Sequence, residues 1–218
     1  MTLKHKKLIS MLLVIMMVLS YCITSLAAES QVKIDCHVVE LEKYISKNLD
    51  GTLKFDAYSA INNGHDIQTV HFISNHIQMM NYYSNTYGAT IDDSFTLELD
   101  LSLLSTSKSG QRGINAVGES KVVTHWYGLT EIYMNSDETQ QLLDNLNSIS
   151  DYVTVAGFIG LVPSKFQPYI SGALYYTSLG LLIYKNQIQI AASSGTGIIM
   201  YIQTNLTDGS QIIYFGPQ

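Results

Sequence analysis

The sequence predicts a single α+β domain in which antiparallel strands and hairpins pack around a C-terminal apolar helical hairpin. Three observations carry that expectation. Residues 95–103 alternate apolar and polar without a break, as a strand does with one face on a core and one in water. A helix over about 67–86 is signalled by Val70, Ile73, Ile77, Met80 and Tyr87 at helical spacing behind Asp66, a good helix cap. Residues 151–184 are almost free of charge, rich in glycine and split by Pro163 and Pro168, so they can be buried on all sides.

The chain opens with Lys4, Lys6 and Lys7, continues with an apolar run over 8–19, and reaches Ser25 and Ala27. Those two are small residues at the positions a signal peptidase reads. This order predicts a secretory signal peptide over 1–27 and one secreted domain over 28–218; the apolar run is too short to span a bilayer by itself. Of the 12 Lys and Arg, Lys4, Lys6 and Lys7 leave with the leader, while all 18 acids stay, so the balance falls to about −9. Such a charge argues against general attraction to nucleic acid or to anionic lipid heads. Cys22 leaves as well, and Cys36 alone has no internal disulfide partner. Secretion without disulfides suits a Gram-positive bacterium, and roughly 190 residues are enough to build a core without staples.

Residues 44–55 read as a hairpin turning at Asn48, Asp50 and Gly51, where the acid spacing does not match a calcium loop. His71 and His76 lie five apart on the helix that Gly88 ends. They do not share a face as zinc ligands would, and read as partly exposed beside the apolar stripe. Glu98 and Asp100 form the wet side of the alternating strand rather than an acid–base pair. Residues 105–120 are a polar loop, and Gly110 to Gly113 lacks the ending of a phosphate loop.

Residues 122–134 hold the only tryptophan, in two strand segments bent at Gly128. His125, Trp126 and Tyr127, with Arg112 from the preceding loop, are the ligand-binding candidates, for a glycan or cell-wall polymer that stacks on aromatic rings. The plainer alternative makes Trp126 a core aromatic. Nucleophile-elbow and His-Glu-x-x-His motifs are absent, so no catalytic residue, metal or cofactor is assigned.

Asn135 and Glu138 form a capping-box pattern, and Leu142, Leu143, Leu146 and Ile149 give the following helix an apolar stripe. This helix is expected to run on to Pro163. A second is expected over 169–192, broken by Gly195 and Gly197, and the chain closes with a hairpin of 198–203 on 211–215. Residues 166–184 carry no formal charge and reach the lower length of a spanning helix, whereas 152–162 do not. The candidate membrane or protein-partner residues are Phe158, Ile159, Leu161, Val162, Tyr169, Leu174, Leu181, Leu182, Ile183 and Tyr184. Enclosed, the same residues would be core.

His125 to Gly128 leading to Glu131 and Tyr133, then Asn135 and Ser136, the Gly/Ala-rich apolar run, Gly195 to Ile199 and the closing Gln218 resemble a group of small secreted proteins of Gram-positive bacteria, some described as bacteriocin-like. The resemblance covers the C-terminal half. It implies secretion and a non-enzymatic role in competition or membrane activity, as a toxin, immunity factor or surface adaptor, and brings no catalytic residue. The long acidic chain departs from short cationic bacteriocin peptides.

Overall fold

Burial along β4 (Thr96–Asp100) follows its sequence: Leu97 and Leu99 enter the core, while Glu98 and Asp100 stay in water. The computed structural model describes residues 36–102, 116–149, 151–174 and 182–218, all within the unit Cys36–Gln218. The signal-peptide segment 1–27, Arg112 and Leu181 lie outside the described residues. Helices and antiparallel sheets together make an α+β domain, as the sequence predicts.

The N-terminal part holds α1 (Cys36–Val39), a hairpin of β1 (Ile45–Lys47) with β2 (Leu53–Phe55), and α2 (Ala57–Asn62). Ile45 pairs with Phe55, so the turn falls where Asn48, Asp50 and Gly51 predict it. The long α3 (Ile67–Tyr87) starts where the Asp66 side chain accepts the Thr69 N–H and stops at Gly88, which is left-handed. It buries Val70, Ile73, Ile77 and Met80 of the predicted stripe and Tyr83 besides, whereas Tyr87, the stripe's last predicted member, is exposed at the end of the helix. His76 joins that stripe at 8% exposure, so the expected partly exposed histidine is corrected: one helical turn past Phe72 it faces inward.

The main sheet has six strands in the order β10-β9-β6-β5-β4-β3, all neighbours antiparallel. Its other members are β3 (Thr90–Ile91), β5 (Lys121–His125), β6 (Leu129–Met134), β9 (Ile198–Thr204) and β10 (Gln211–Pro217). Pairing puts Leu97, Thr124, Thr130, Ile202 and Ile213 in one row across the sheet. Leu99, Val122, Ile132, Met200 and Phe215 form the next inner row. These inner rows contribute to the same core as the buried residues of α3 and of the helices that follow β6. The period of two sends the intervening row, Glu98, Val123, Glu131, Tyr201 and Tyr214, to the opposite face. Val123, Leu129 and Ile199 on that face are buried, yet stand apart from the main core.

Between β6 and β9 the predicted helical hairpin is not formed. The helix after Asn135 is α4 (Ser136–Asn147), with the predicted capping box in place, but it ends well before Pro163. The chain then forms β7 (Tyr152–Thr154), α5 (Val155–Leu161) and α6 (Gln167–Ala173). Residues 175–181 lie outside the described residues, and β8 (Leu182–Tyr184) and α7 (Lys185–Ala191) follow them in sequence. Tyr152 pairs with Tyr184 and Thr154 with Leu182, so the outer ends of the supposed hairpin are a two-stranded ribbon. The physical reason is local. Tyr-Val-Thr favours extended backbone, and the Thr154 side chain caps a new helix by accepting the Gly157 N–H.

The residues proposed for membrane or partner contact are accordingly divided. Phe158, Val162, Tyr169, Leu174 and Ile183 are buried in the core, and Ile159 and Leu161 pack against it. Leu182 and Tyr184 are exposed. Among the described residues no helix is long and apolar enough to cross a membrane.

Gln218 closes the fold by imitating a strand partner. Its side chain accepts the Glu119 N–H at 2.5 Å and donates to the Glu119 carbonyl at 2.9 Å, while Thr196 Oγ1 donates to its main-chain carbonyl at 2.7 Å. Gln218→Ala removes both bonds to Glu119 and a long one to the Ile198 carbonyl, and should lower stability by about 1–2 kcal/mol, read from a denaturant midpoint; an unchanged midpoint would mean water replaces the amide at no cost.

Candidate functional site

The site grows from the β5–β6 hairpin. His125 ends β5 on the outer face, and the next residue, Trp126, falls on the inner side at 4% exposure. Trp126 is therefore a core aromatic, which corrects its reading as a ligand contact. Gly128 takes φ +90 and donates its N–H to the His125 carbonyl at 3.1 Å, closing the turn. From α3, His76 Nε2 reaches the same carbonyl at 2.8 Å. The corner of the hairpin is thus tied to the long helix behind it.

The His125 ring lies between two outer-face partners. Its Nε2 is 3.2 Å from Glu131 Oε1, and its Nδ1 is 3.2 Å from Thr96 Oγ1. Tyr133 donates its hydroxyl to the other oxygen of Glu131 at 2.5 Å. With the proton on Nε2 facing the carboxylate, Nδ1 accepts from Thr96. Partial burial works against the Glu131 charge. The His125 and Tyr133 hydrogen bonds and the electrostatic influence of His125 and Lys121 together outweigh it, and hold the carboxyl below its ordinary value. Burial and then the Glu131 bond push the Tyr133 phenol well up, and burial followed by Glu131 raises Tyr127 and Tyr201 in the same sense. Burial raises Tyr214 too. All four phenols are neutral at physiological pH.

Around this network the rings are ordered. His125 stacks on Tyr127 with centroids 5.0 Å apart, and Tyr201 stacks on Tyr214 at 4.6 Å with planes only 8° apart. Gly216 makes room for the latter pair, since a Cβ there would sit 3.3 Å from the Tyr201 ring. Lys121 lies 4.9 Å over Tyr133 and pairs with Glu119 at 2.8 Å and Glu98 at 3.5 Å. Among the described residues no hydrogen bond engages the hydroxyls of Tyr127, Tyr201 or Tyr214.

Thr96, His125 and Glu131 have the order of a hydroxyl, a base and an orienting carboxylate. The surroundings do not suit acyl chemistry. The N–H groups of Ser94 and Thr96 are both spent on the Asp92 carboxylate, at 2.9 and 2.8 Å, where donors for a developing oxyanion would be needed. Phe95, with φ 56, adopts its left-handed backbone to complete that Asp92-centred turn. The array is suited to holding a polar ligand against aromatic rings.

Of the sequence-predicted residues, the structure brings His125 and Tyr127 together on this face, buries Trp126 behind it, and leaves Arg112 outside the described residues. Sequence reasoning missed Thr96, Glu131, Tyr133, Tyr201 and Tyr214 as members of one face. The closing hairpin carries no clear signal for them: Tyr201 shares its face with Ile199 and Tyr214 shares its face with Ile212, so alternation does not separate the rings from the isoleucines. Among the described residues no group of three or more His, Cys, Asp or Glu side chains converges as a metal site would. Set against known proteins, the chain matches no family model, no curated protein and no solved structure.

Proposed function

We propose that the chain is a secreted, non-enzymatic binding protein whose outer sheet face holds an extracellular glycan of the bacterial cell wall. The observation that carries this reading is the parallel Tyr201–Tyr214 stack beside the His125–Glu131–Tyr133 network. Flat rings offer apolar area to the C–H face of a sugar, and the free hydroxyls and the carboxylate meet its hydroxyl groups. Tyr214, Tyr201 and Glu131 stand opposite one another on three adjacent strands, so they extend over roughly 10 Å, longer than one sugar ring. Two-torsion tyrosines lose little conformational entropy on binding, which favours them for such a surface.

Replacing Tyr201 and Tyr214 together by alanine should weaken co-sedimentation with insoluble cell-wall polysaccharide by at least about ten-fold, with the far-UV spectrum unchanged. Equal sedimentation of the two proteins would dismiss the face as the binding surface.

A second reading keeps contact with a membrane surface or a protein partner, as a toxin-, immunity- or adaptor-like protein, and it rests on a smaller patch than the hairpin. Tyr152 and Tyr184 face each other across β7–β8 with ring centroids 6.4 Å apart, and Leu182 is exposed beside them. Flotation with anionic vesicles separates the two readings: lipid association lost in Leu182→Asp favours the patch, and none at all removes the lipid version.

A further inference from the structure

On the helical side of the sheet, opposite the aromatic face, lies a cleft of about 320 Å³. Its walls include His76, Gln78 and Met79 from α3, Ala173 from the end of α6, and Thr204 and Leu206 from the end of β9 and the turn beyond. The volume is at the small end of ligand pockets. Among the described residues no charged side chain lines it. A charged ligand would therefore lose its hydration without a counter-charge.

Two polar atoms on different walls have complementary unused capacity. His76 spends Nε2 on the His125 carbonyl at 2.8 Å, which places the proton there and leaves Nδ1 as an acceptor. Burial keeps this imidazole neutral, with its pKa lowered to about 4. Thr204 Oγ1 already accepts the Gln211 Nε2 at 2.7 Å, so its own proton remains to be donated. The same Gln211 nitrogen donates to the Ala173 carbonyl at 2.6 Å, which locks the β9–β10 wall to the α6 wall. Gln211 Oε1 behind this junction is buried without a partner. Met79 and Leu206 supply the apolar remainder of the lining.

We propose that this cleft is a binding site for a neutral acetamido group, carried on a ligand about the size of one sugar ring. A trans secondary amide points its N–H and its C=O in opposite directions. The N–H fits the acceptor His76 Nδ1 on the α3 wall, and the C=O fits the donor hydroxyl of Thr204 on the β9 wall. The acetyl methyl then meets Met79 and Leu206. An amine or a carboxylate at the same position would find no counter-ion and would be rejected.

The test is saturation-transfer NMR with the full chain and three probes: N-acetylglucosamine, glucosamine and glucuronate. Saturation is expected on the acetyl methyl of N-acetylglucosamine, with no transfer to the two charged sugars. Gln78 is exposed, so Gln78→Trp blocks the cleft without disturbing the core, and it should reduce the methyl signal at least about ten-fold. His76→Phe, which removes the acceptor, should have the same effect, and Gln78→Trp decides the matter if that variant fails to fold. The Tyr201→Ala, Tyr214→Ala protein should keep the signal, because it alters only the outer face. The proposal is overturned by an absent methyl signal, by equal transfer to glucosamine or glucuronate, by a signal that survives Gln78→Trp, or by one lost with the two tyrosines.

Discussion

Lys165→Met is expected to lower stability by about 3–5 kcal/mol, seen as a fall in the urea midpoint. Lys165 and Glu138 form an ion pair whose side chains are only 12% and 11% exposed. Glu138 is committed from several directions: it accepts the Ser120 hydroxyl at 2.9 Å and the Asn135 N–H at 2.9 Å as half of the capping box. Lys165 also donates to the Leu101 carbonyl at 3.1 Å. Removing the cation leaves a carboxylate with little water and no compensating charge, and that is where the cost arises. The paired variant, Lys165→Met with Glu138→Gln, should recover part of the loss, because two neutral groups no longer strand an ion. A single-variant loss below about 1 kcal/mol would show that water reaches the pair and that the site behaves like a surface bridge.

Acidification supplies the second large effect. Burial lowers the His76 pKa from 6.5 to about 4, outweighing the His125 carbonyl bond that favours the charged ring. In the unfolded chain His76 takes up a proton near 6.5, while in the folded protein it does so only near 4. Between those values the unfolded state holds more protons, so stability declines as pH falls and is whole only above about 6.5. The contribution lost by pH 4 is up to roughly 3 kcal/mol. Asp56, Asp66, Asp92 and Asp100 are all held below their ordinary 3.8, so most of their share is lost below that; Glu131, held below its ordinary 4.5, adds a smaller slope at the acid end of the His76 window, common to the parent and a His76 variant. Thermal midpoints between pH 7 and 4 should slope down in the parent and flatten in His76→Gln. Identical slopes would mean that the imidazole protonates in place.

Much of the scaffold was legible because its signals are local. Asp66 and Gly88 bracket α3, Asn135 and Glu138 announce α4, and the period of two along 96–100 allows only a strand. The stretch 151–184 misled because an uncharged run contains no polar face to set its period. Buried helix and buried strand look alike there, and the ribbon of Tyr152–Thr154 on Leu182–Tyr184 needs a partner some thirty residues away. Lys165 illustrates the same limit: in the sequence it sits at a supposed hairpin turn, and only the fold places it against Glu138. The candidate site was half visible. His125 and Tyr127 stand in one short segment, but Thr96, Tyr201 and Tyr214 arrive through pairings of β4 with β5, β6 with β9 and β9 with β10. No local pattern encodes which strands become neighbours.

Trp126, the only indole in the chain, sits in the dry interior with its ring edge-on to Tyr127 at 5.9 Å. Its emission is therefore a gauge of whether the protein is intact, and a saccharide landing on the other side of the hairpin should leave that colour nearly still. The optical sign of occupancy belongs to the tyrosines, in near-ultraviolet dichroism. A titration watched only through the indole would record silence and mistake it for indifference.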